Sequence, residues 1–294
     1  MNSMGDRLMG LIARALLRAL ALTIGWSMIG APVALESLAA EATSRAEGER
    51  IQLDDGWLFI PKRFKPSPEG VSMTLHLHGD RNLVERLFEA ARQPGVLVNV
   101  SIPGLSSVYQ RKFIAPATFQ SVLRQTVDAL REQGVKSGVI ERLTVSSFSV
   151  GYGGVRELLK DPVAYERIDT LIMADSIYAG YVGNPRERRV NPDQMAGFLK
   201  FAKDAAMGKK RLLITHTDLV PGSYASTRET ADFLIERLPG RRASVRETLG
   251  SELRMTSRFV EGDCEILGFT GTTGEDHMKH LRRLDLWYRR AAEN

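Results

Sequence analysis

From Arg50 onward the chain alternates short apolar runs rich in β-branched residues with longer stretches in which apolar positions recur every three or four residues. The first pattern is that of buried strands and the second that of amphipathic helices. IQLDDGWLFIP, with Asp54, Asp55 and Gly56 at its centre, predicts a β-hairpin. VSMTLHLHG (71–79) predicts a strand running into a loop, RNLVERLFEAARQ (81–93) a helix, GVLVNVSIPG (95–104) a strand, and ATFQSVLRQTVDALREQG (117–134) a helix closed by glycine. The series continues with strand RLTVSSF (142–148), helix GGVRELLK (153–160), strand IDTLIMADS (168–176), a helix near 192–207 and strand RLLITHT (211–217). A helix from about Ser226, a strand region TSRFVEGDCEILGFTG (256–271) and a closing helix HMKHLRRLDLWYRRA (277–291) complete it. No repeat or low-complexity block interrupts the series, and its longest gap runs from Ser176 to Asn191. Such alternation predicts an α/β protein with a largely parallel sheet and leaves no segment for a second domain.

Composition narrows the partners. With 294 residues, 43% of them hydrophobic, the chain can bury a sizeable core. Its 40 Lys and Arg exceed its 35 Asp and Glu by only five, spread along the sequence with no basic block, which argues against nucleic acid. The lone cysteine, Cys264, excludes an intrachain disulfide and any zinc site needing two cysteines of this chain.

Residues 1–42 are of another kind. Arg7, Arg14 and Arg18 precede an uncharged run from Ala19 to Leu35, and small residues follow, with cleavage expected after Ala39 or Ala42. That succession predicts a secretory signal and an exported mature domain over 43–294. The competing reading is an uncleaved membrane anchor, the one contact with a membrane that the sequence suggests.

In an open parallel sheet, functional groups collect beyond the carboxyl ends of the strands. Three such ends carry reactive side chains. Ser147, Phe148, Ser149, Val150 and Gly151 form small-x-Ser-x-small at a strand-to-helix junction, with Gly153 and Gly154 behind. This is the pattern of a nucleophile elbow, which lifts Ser149 clear of the sheet and turns the Val150 amide toward an oxyanion. The bland alternative makes Ser149 a helix cap. A second oxyanion donor is expected from the amide of Asp80 in HLHGD (76–80), where Gly79 allows close approach. The Asp80 carboxylate must turn away, most simply to cap the following helix.

A serine nucleophile needs a histidine base. GEDHMKHL (274–281) offers His277 at the end of a loop, with His280 one helical turn further on as a packed or surface residue. The acid that orients the base is Asp175, ending TLIMAD, or Asp218, following RLLITHT. Both satisfy the chain order Ser, acid, His. Tyr152 and Tyr178, with Tyr109 and Tyr181, are candidates to line a substrate pocket at the mouth. The sharpest rival is a metal centre at His76, His78 and Asp80, whose His-x-His-x-Asp spacing places two imidazoles on one strand face; it lacks a histidine at Arg81 and leaves the serine elbow unexplained.

As a set, HGD after an early strand, SFSVG at mid-chain, an acid after a later strand and DHMKH before the last helix resemble the α/β-hydrolase superfamily over residues 50–291. The resemblance implies a central, mostly parallel sheet of about eight strands, its first pairs antiparallel, with helices on both faces. It also implies ester or acyl hydrolysis without a cofactor or metal, on a small-molecule or polymer-linked ester. The acid most often follows the seventh strand, which favours Asp218, but in some members it follows the sixth, which favours Asp175. Ser147 in place of a glycine and Asp80 in the oxyanion loop depart from the pattern. A hydrolase fold that only binds a ligand is the alternative from another class.

Overall fold

The hairpin forms where the Asp-Asp-Gly turn predicts it, and the sheet grows from there. The computed structural model describes residues 45–136, 138–184 and 188–293, so the expected signal segment lies outside the described residues. Strands β1 (Gly48–Leu53) and β2 (Gly56–Pro61) pair antiparallel with Leu53 opposite Gly56, leaving Asp54 and Asp55 as the turn. β2 then pairs antiparallel with β4 (Val96–Val100), which lies parallel to β3 (Val71–Leu77). From β3 the sheet continues in parallel through β5 (Ile140–Phe148), β6 (Thr170–Ala174), β9 (Arg211–His216) and β12 (Cys264–Phe269).

Because both faces of these strands are covered, β4 and β6 are apolar nearly throughout, while β3 and β5 also bury Thr74, His76, Ser146 and Ser147. Val96, Val98 and Val100 enter one core while Leu97 enters the other; Leu171 and Met173 part in the same way from Ile172 and Ala174. The helices are α1 (Arg81–Ala90), α2 (Ser106–Phe113), α3 (Pro116–Glu132), α4 (Tyr152–Leu158), α5 (Pro162–Arg167), α6 (Pro192–Ala206), α7 (Thr227–Ile235), α8 (Gly274–Arg282) and α9 (Leu284–Ala292). α1, α8 and α9 cover one face with Val84, Phe88, Leu281, Trp287 and Tyr288; the other six cover the opposite face. No described helix is long and apolar enough to cross a membrane.

Among the described residues the sheet has ten strands rather than about eight, in the order β1-β2-β4-β3-β5-β6-β9-β12 with two more beyond β12. β10 (Ala243–Leu249) and β11 (Leu253–Glu261) extend it antiparallel beyond β12. β10 is an edge strand with no buried residue, so no apolar run marks it. The region 256–271 turns at Gly262 and Asp263, so that β11 and β12 pair antiparallel across it. The gap from 176 to 191 holds a small antiparallel pair, β7 (Tyr181–Val182) and β8 (Arg189–Val190). α2 escapes the sequence pattern because it buries only Tyr109 and Phe113.

α2 and α4 meet at backbone distance. A Cβ added at Gly153 would lie 2.2 Å from the carbonyl oxygen of Ser106, whereas one at Gly222 would meet nothing within 4 Å. Gly153→Ala is therefore expected to lower stability by about 1–3 kcal/mol, as overpacking does. Gly222→Ala should leave it unchanged, and thermal unfolding of the two variants checks the pair.

Candidate active site

Three non-glycine residues with left-handed backbone stand just beyond the carboxyl ends of three adjacent strands: His78 (φ 74°) after β3, Ser149 (φ 49°) after β5 and Asp175 (φ 45°) after β6. Such conformations cost about 1–3 kcal/mol each and persist where the surroundings over-determine them. At Ser149 the surroundings are close. A Cβ on Gly151 would sit 2.3 Å from the Leu77 carbonyl oxygen and 2.9 Å from Ser147 Oγ, so the position two after the serine must be glycine. Ser147, where the usual pattern has glycine, is fully buried. Its hydroxyl donates to Ser176 Oγ at 2.5 Å, and Ser176 Oγ donates to the Ser149 carbonyl at 2.8 Å. The departure thus ties the carbonyl of the strained residue to the end of β6. No side-chain cap bond forms at the start of the 3-10 turn Ser149–Gly151 or of α4.

Of the two acids left open by the sequence, Asp175 is bonded to His277: Nδ1 and Oδ2 are 2.6 Å apart. Asp218 is ion-paired at the surface with Arg228, at 2.8 Å. The Asp175 carboxylate is buried and accepts three more bonds, from the Thr217 amide (3.0 Å), the Thr217 hydroxyl (2.9 Å) and the Thr227 hydroxyl. Burial alone would raise its pKa, but the His277 hydrogen bond, the charges of His280 and His277, and Thr227 hold it well below the ordinary carboxylate range. An ionised acceptor fixes Nδ1–H as the donor and leaves Nε2 of His277 as the basic atom. The imidazole is 13% exposed and stacks on Phe148, ring centroids 4.5 Å apart; Phe148 also stacks on His78 at 6.1 Å. His277 is thereby held at the residue that precedes Ser149 in the chain.

His277 lies in the first turn of α8, not in a loop. Thr273 and Asp276 form a capping box that starts the helix at Gly274, and a Cβ at Gly274 would meet nothing, so glycine is not needed there. The expected single closing helix breaks at Arg283 into α8 and α9. His280, one turn on, is fully buried. Its Nδ1 is 2.7 Å from Thr215 Oγ1, to which the Asp175 amide donates at 3.1 Å. α8 therefore holds Asp175 twice, by the carboxylate and by the backbone.

Opposite stands the loop after β3. Gly79 (φ 153°) packs against Val84, Leu281 and His76, and the Asp80 carboxylate turns away to accept from the Leu83 amide at 2.8 Å, capping α1. β3 and β5 are neighbours with Leu77 opposite Ser147, so the segment carrying the Gly79 and Asp80 amides and the turn carrying the Val150 amide leave the sheet side by side. His76 donates from Nε2 to the His78 carbonyl (2.9 Å) and accepts at Nδ1 from Ser146 (2.8 Å), whose oxygen accepts from Tyr288. His78 Nδ1 is bonded to the Tyr109 hydroxyl at 3.0 Å. His76, His78 and Asp80 thus have separate partners, and among the described residues no three His, Cys, Asp or Glu side chains gather as a metal site.

No protein-family model matches the sequence, and no curated protein matches it. Among solved structures, a hyperthermophilic esterase from Pyrobaculum calidifontis aligns at 14% identity over 97% of this chain and 98% of its own, with a TM-score of 0.43. The enterobactin esterase of Shigella flexneri aligns at 12% identity over 85% of this chain and 59% of its own (TM-score 0.48), and the acylaminoacyl peptidase of Pyrococcus horikoshii at 14% over 88% and 42% (TM-score 0.46). These likenesses are slight; the assignment rests on the strand order, the parallel core and the strained strand-to-helix turn of the chain itself. The chain has the α/β-hydrolase fold.

Around this hydrolase-fold centre the tyrosines divide. Tyr109 is fully buried and accepts from the Ile102 amide at 2.8 Å, so it supports the β3 and β4 loops and lines no pocket. Tyr181 is bound to Glu229 and Arg188. Tyr152, three residues after Ser149, meets Tyr178, three after Asp175, at 5.4 Å with the rings tilted; Tyr178 is 9% exposed and meets Tyr224, 44% exposed, edge-on at 5.5 Å. Arg156 joins them, its guanidinium 4.9 Å from the Tyr152 ring and bonded to the Tyr178 carbonyl. Tyr224, Arg156, Phe148, Thr215, Thr217 and Thr227 escape sequence reasoning because their roles come from contacts across elements.

Buried histidines make the site sensitive to acid. Burial pulls His280 down to about 4 and His76 to about 3 from the usual 6.5. Between these values and 6.5 the unfolded chain binds more protons than the folded one, so stability falls as pH falls through this window. Asp175, depressed in the fold, adds a further loss once pH drops below the ordinary carboxylate value near 3.8. The melting temperature should decline from pH 6.5 to 4, and the decline should be shallower in His280→Gln; equal slopes would refute the assignment.

Proposed function

We propose that the protein is a serine hydrolase of carboxylic esters in which Ser149 is the nucleophile, His277 the base and Asp175 the acid that orients it. The observation that carries this reading is a serine held at φ 49° beyond a parallel strand, preceded in the chain by Phe148, whose ring stacks at 4.5 Å on a histidine whose Nδ1 is engaged by a buried carboxylate. Ser149 Oγ bonds to the ester carbonyl carbon while its proton passes to His277 Nε2. The carbonyl electron pair moves to oxygen, which the Val150 and Asp80 amides stabilise, with Gly79 allowing their approach. Collapse breaks the ester C–O bond, and His277 returns the proton to the departing alcohol. Water then repeats the sequence on the acyl-enzyme and frees the acid. No part of this cycle calls for a metal or cofactor.

Tyr152 and Tyr178 border the elbow in this reading, with Tyr224 as the exposed end of their cluster. The proposal includes export, on the basic, apolar and small-residue succession of residues 1–42.

Ser149→Ala is expected to abolish hydrolysis of p-nitrophenyl acetate and covalent labelling by an organophosphonate, while a chelator leaves both intact. Activity that survives the substitution but not the chelator would favour a metal centre; no hydrolysis or labelling in the unaltered protein would favour a ligand-binding role. Asp175→Asn should lower kcat by about 10³–10⁴-fold. Asp218→Asn, which removes only a surface ion pair, should stay within about twofold. Steady-state kinetics of the two variants decides between the acids.

A further inference from the structure

A cleft of about 820 Å³ opens beside the oxyanion loop, bordered by Gly79 and Asp80 themselves and by the ends of the β1–β2 hairpin and of β4. Its charged groups balance, with Arg81, Arg111 and Lys112 against Asp54, Asp55 and Asp80. Most are committed. Lys112 is paired with Asp55, Asp54 accepts from Gln125 at 2.9 Å, and Asp80 caps α1. Arg81 stacks its guanidinium 4.3 Å from the Trp57 ring, forming a flat wall.

Asn99 is the telling residue. It is 3% exposed at the end of β4, directly opposite Trp57 in the sheet register, and neither end of its side-chain amide has a hydrogen-bond partner among the described residues. The Asn82 side-chain oxygen, at the start of α1, is buried in the same condition. A buried amide left unpaired costs about 1–3 kcal/mol, so its retention at the edge of a cleft calls for a use.

The lining narrows the occupant. An apolar chain would strip water from six charged groups without replacing their hydrogen bonds. An anion would face three carboxylates and a cation three basic groups. A hydroxyl both donates and accepts, and so matches a wall of amides, guanidinium groups and carboxylates in equal supply. We infer that the cleft receives a neutral, polyhydroxylated group, a sugar or polyol, which enters the ester as its alcohol. This deepens the proposed function and rests on it: the loop whose amide faces the carbonyl oxygen is also the cleft's border, so an alcohol esterified at that carbonyl reaches the cleft.

The test compares hydrolysis of methyl 6-O-acetyl-glucoside with that of cyclohexylmethyl acetate, its counterpart without hydroxyls, and uses p-nitrophenyl acetate to read the basal reaction. The full chain should prefer the glucoside by about tenfold or more in kcat/KM, the scale on which a site built for hydroxyls rejects analogues lacking them. Asn99→Leu should cut that preference about tenfold, mainly through KM, with the melting temperature undiminished. Equal turnover of the two acetates, or a loss in Asn99→Leu shared by all three substrates, would overturn the inference, as would preference for a succinate monoester. Saturation-transfer NMR of methyl glucoside on Ser149→Ala reads the cleft without turnover. A signal there that Asn99→Leu removes supports the cleft even if hydrolysis is absent, and no signal overturns it even if p-nitrophenyl acetate is hydrolysed.

Discussion

The ionised carboxylate of Asp175 is the group on which the site depends. It sits at the end of β6, fully buried, and draws hydrogen bonds from Thr217 after β9, from Thr227 at the start of α7 and from His277 in α8. An unpaired charge in that position would cost several kcal/mol, so the fold is stable only with these partners in place. The same requirement aligns the ends of four elements. The Asp175 backbone is equally constrained, because its amide is held by Thr215, which His280 holds in turn. Strain at φ 45° is tolerated because anchors on both sides of the residue forbid relaxation.

The sheet supplies the rigid base for this arrangement. β3, β5 and β6 are central strands with both faces buried, so the directions in which they end are set by packing on the two cores. Ser149 and Asp175 leave neighbouring strands, and the chain Ser147–Ser176–Ser149 stitches the two exits together. Phe148, between the His78 and His277 rings, connects the loop after β3 to α8 through contact of flat surfaces. A shift of any one of these three strand ends would be felt by the other two.

The two flanks of the centre differ in chemistry. Tyr152, Tyr178 and Tyr224 make one flank aromatic, and the cleft along Trp57, Arg81 and Asn99 makes the other polar and charge-balanced.

By itself the sequence determined the class of fold and singled out candidate residues for its chemistry. Period and apolar runs mark the parallel strands because burial on both faces favours apolar residues there, and the glycine two places after Ser149 is legible because a side chain would not fit a turn pressed against Leu77. The same local logic does not reach β10, an exposed edge strand whose pairing comes from β11, or α2, which buries two side chains. Nor could it choose between Asp175 and Asp218, since both follow apolar strands and both precede the histidine. Tertiary structure separates the two: β6 and α8 bring Asp175 to 2.6 Å from His277, while Asp218 turns to Arg228 at the surface. The difference lies in contacts across 102 and 10 residues of chain, which depend on how strands are ordered in the sheet and not on what any short segment contains.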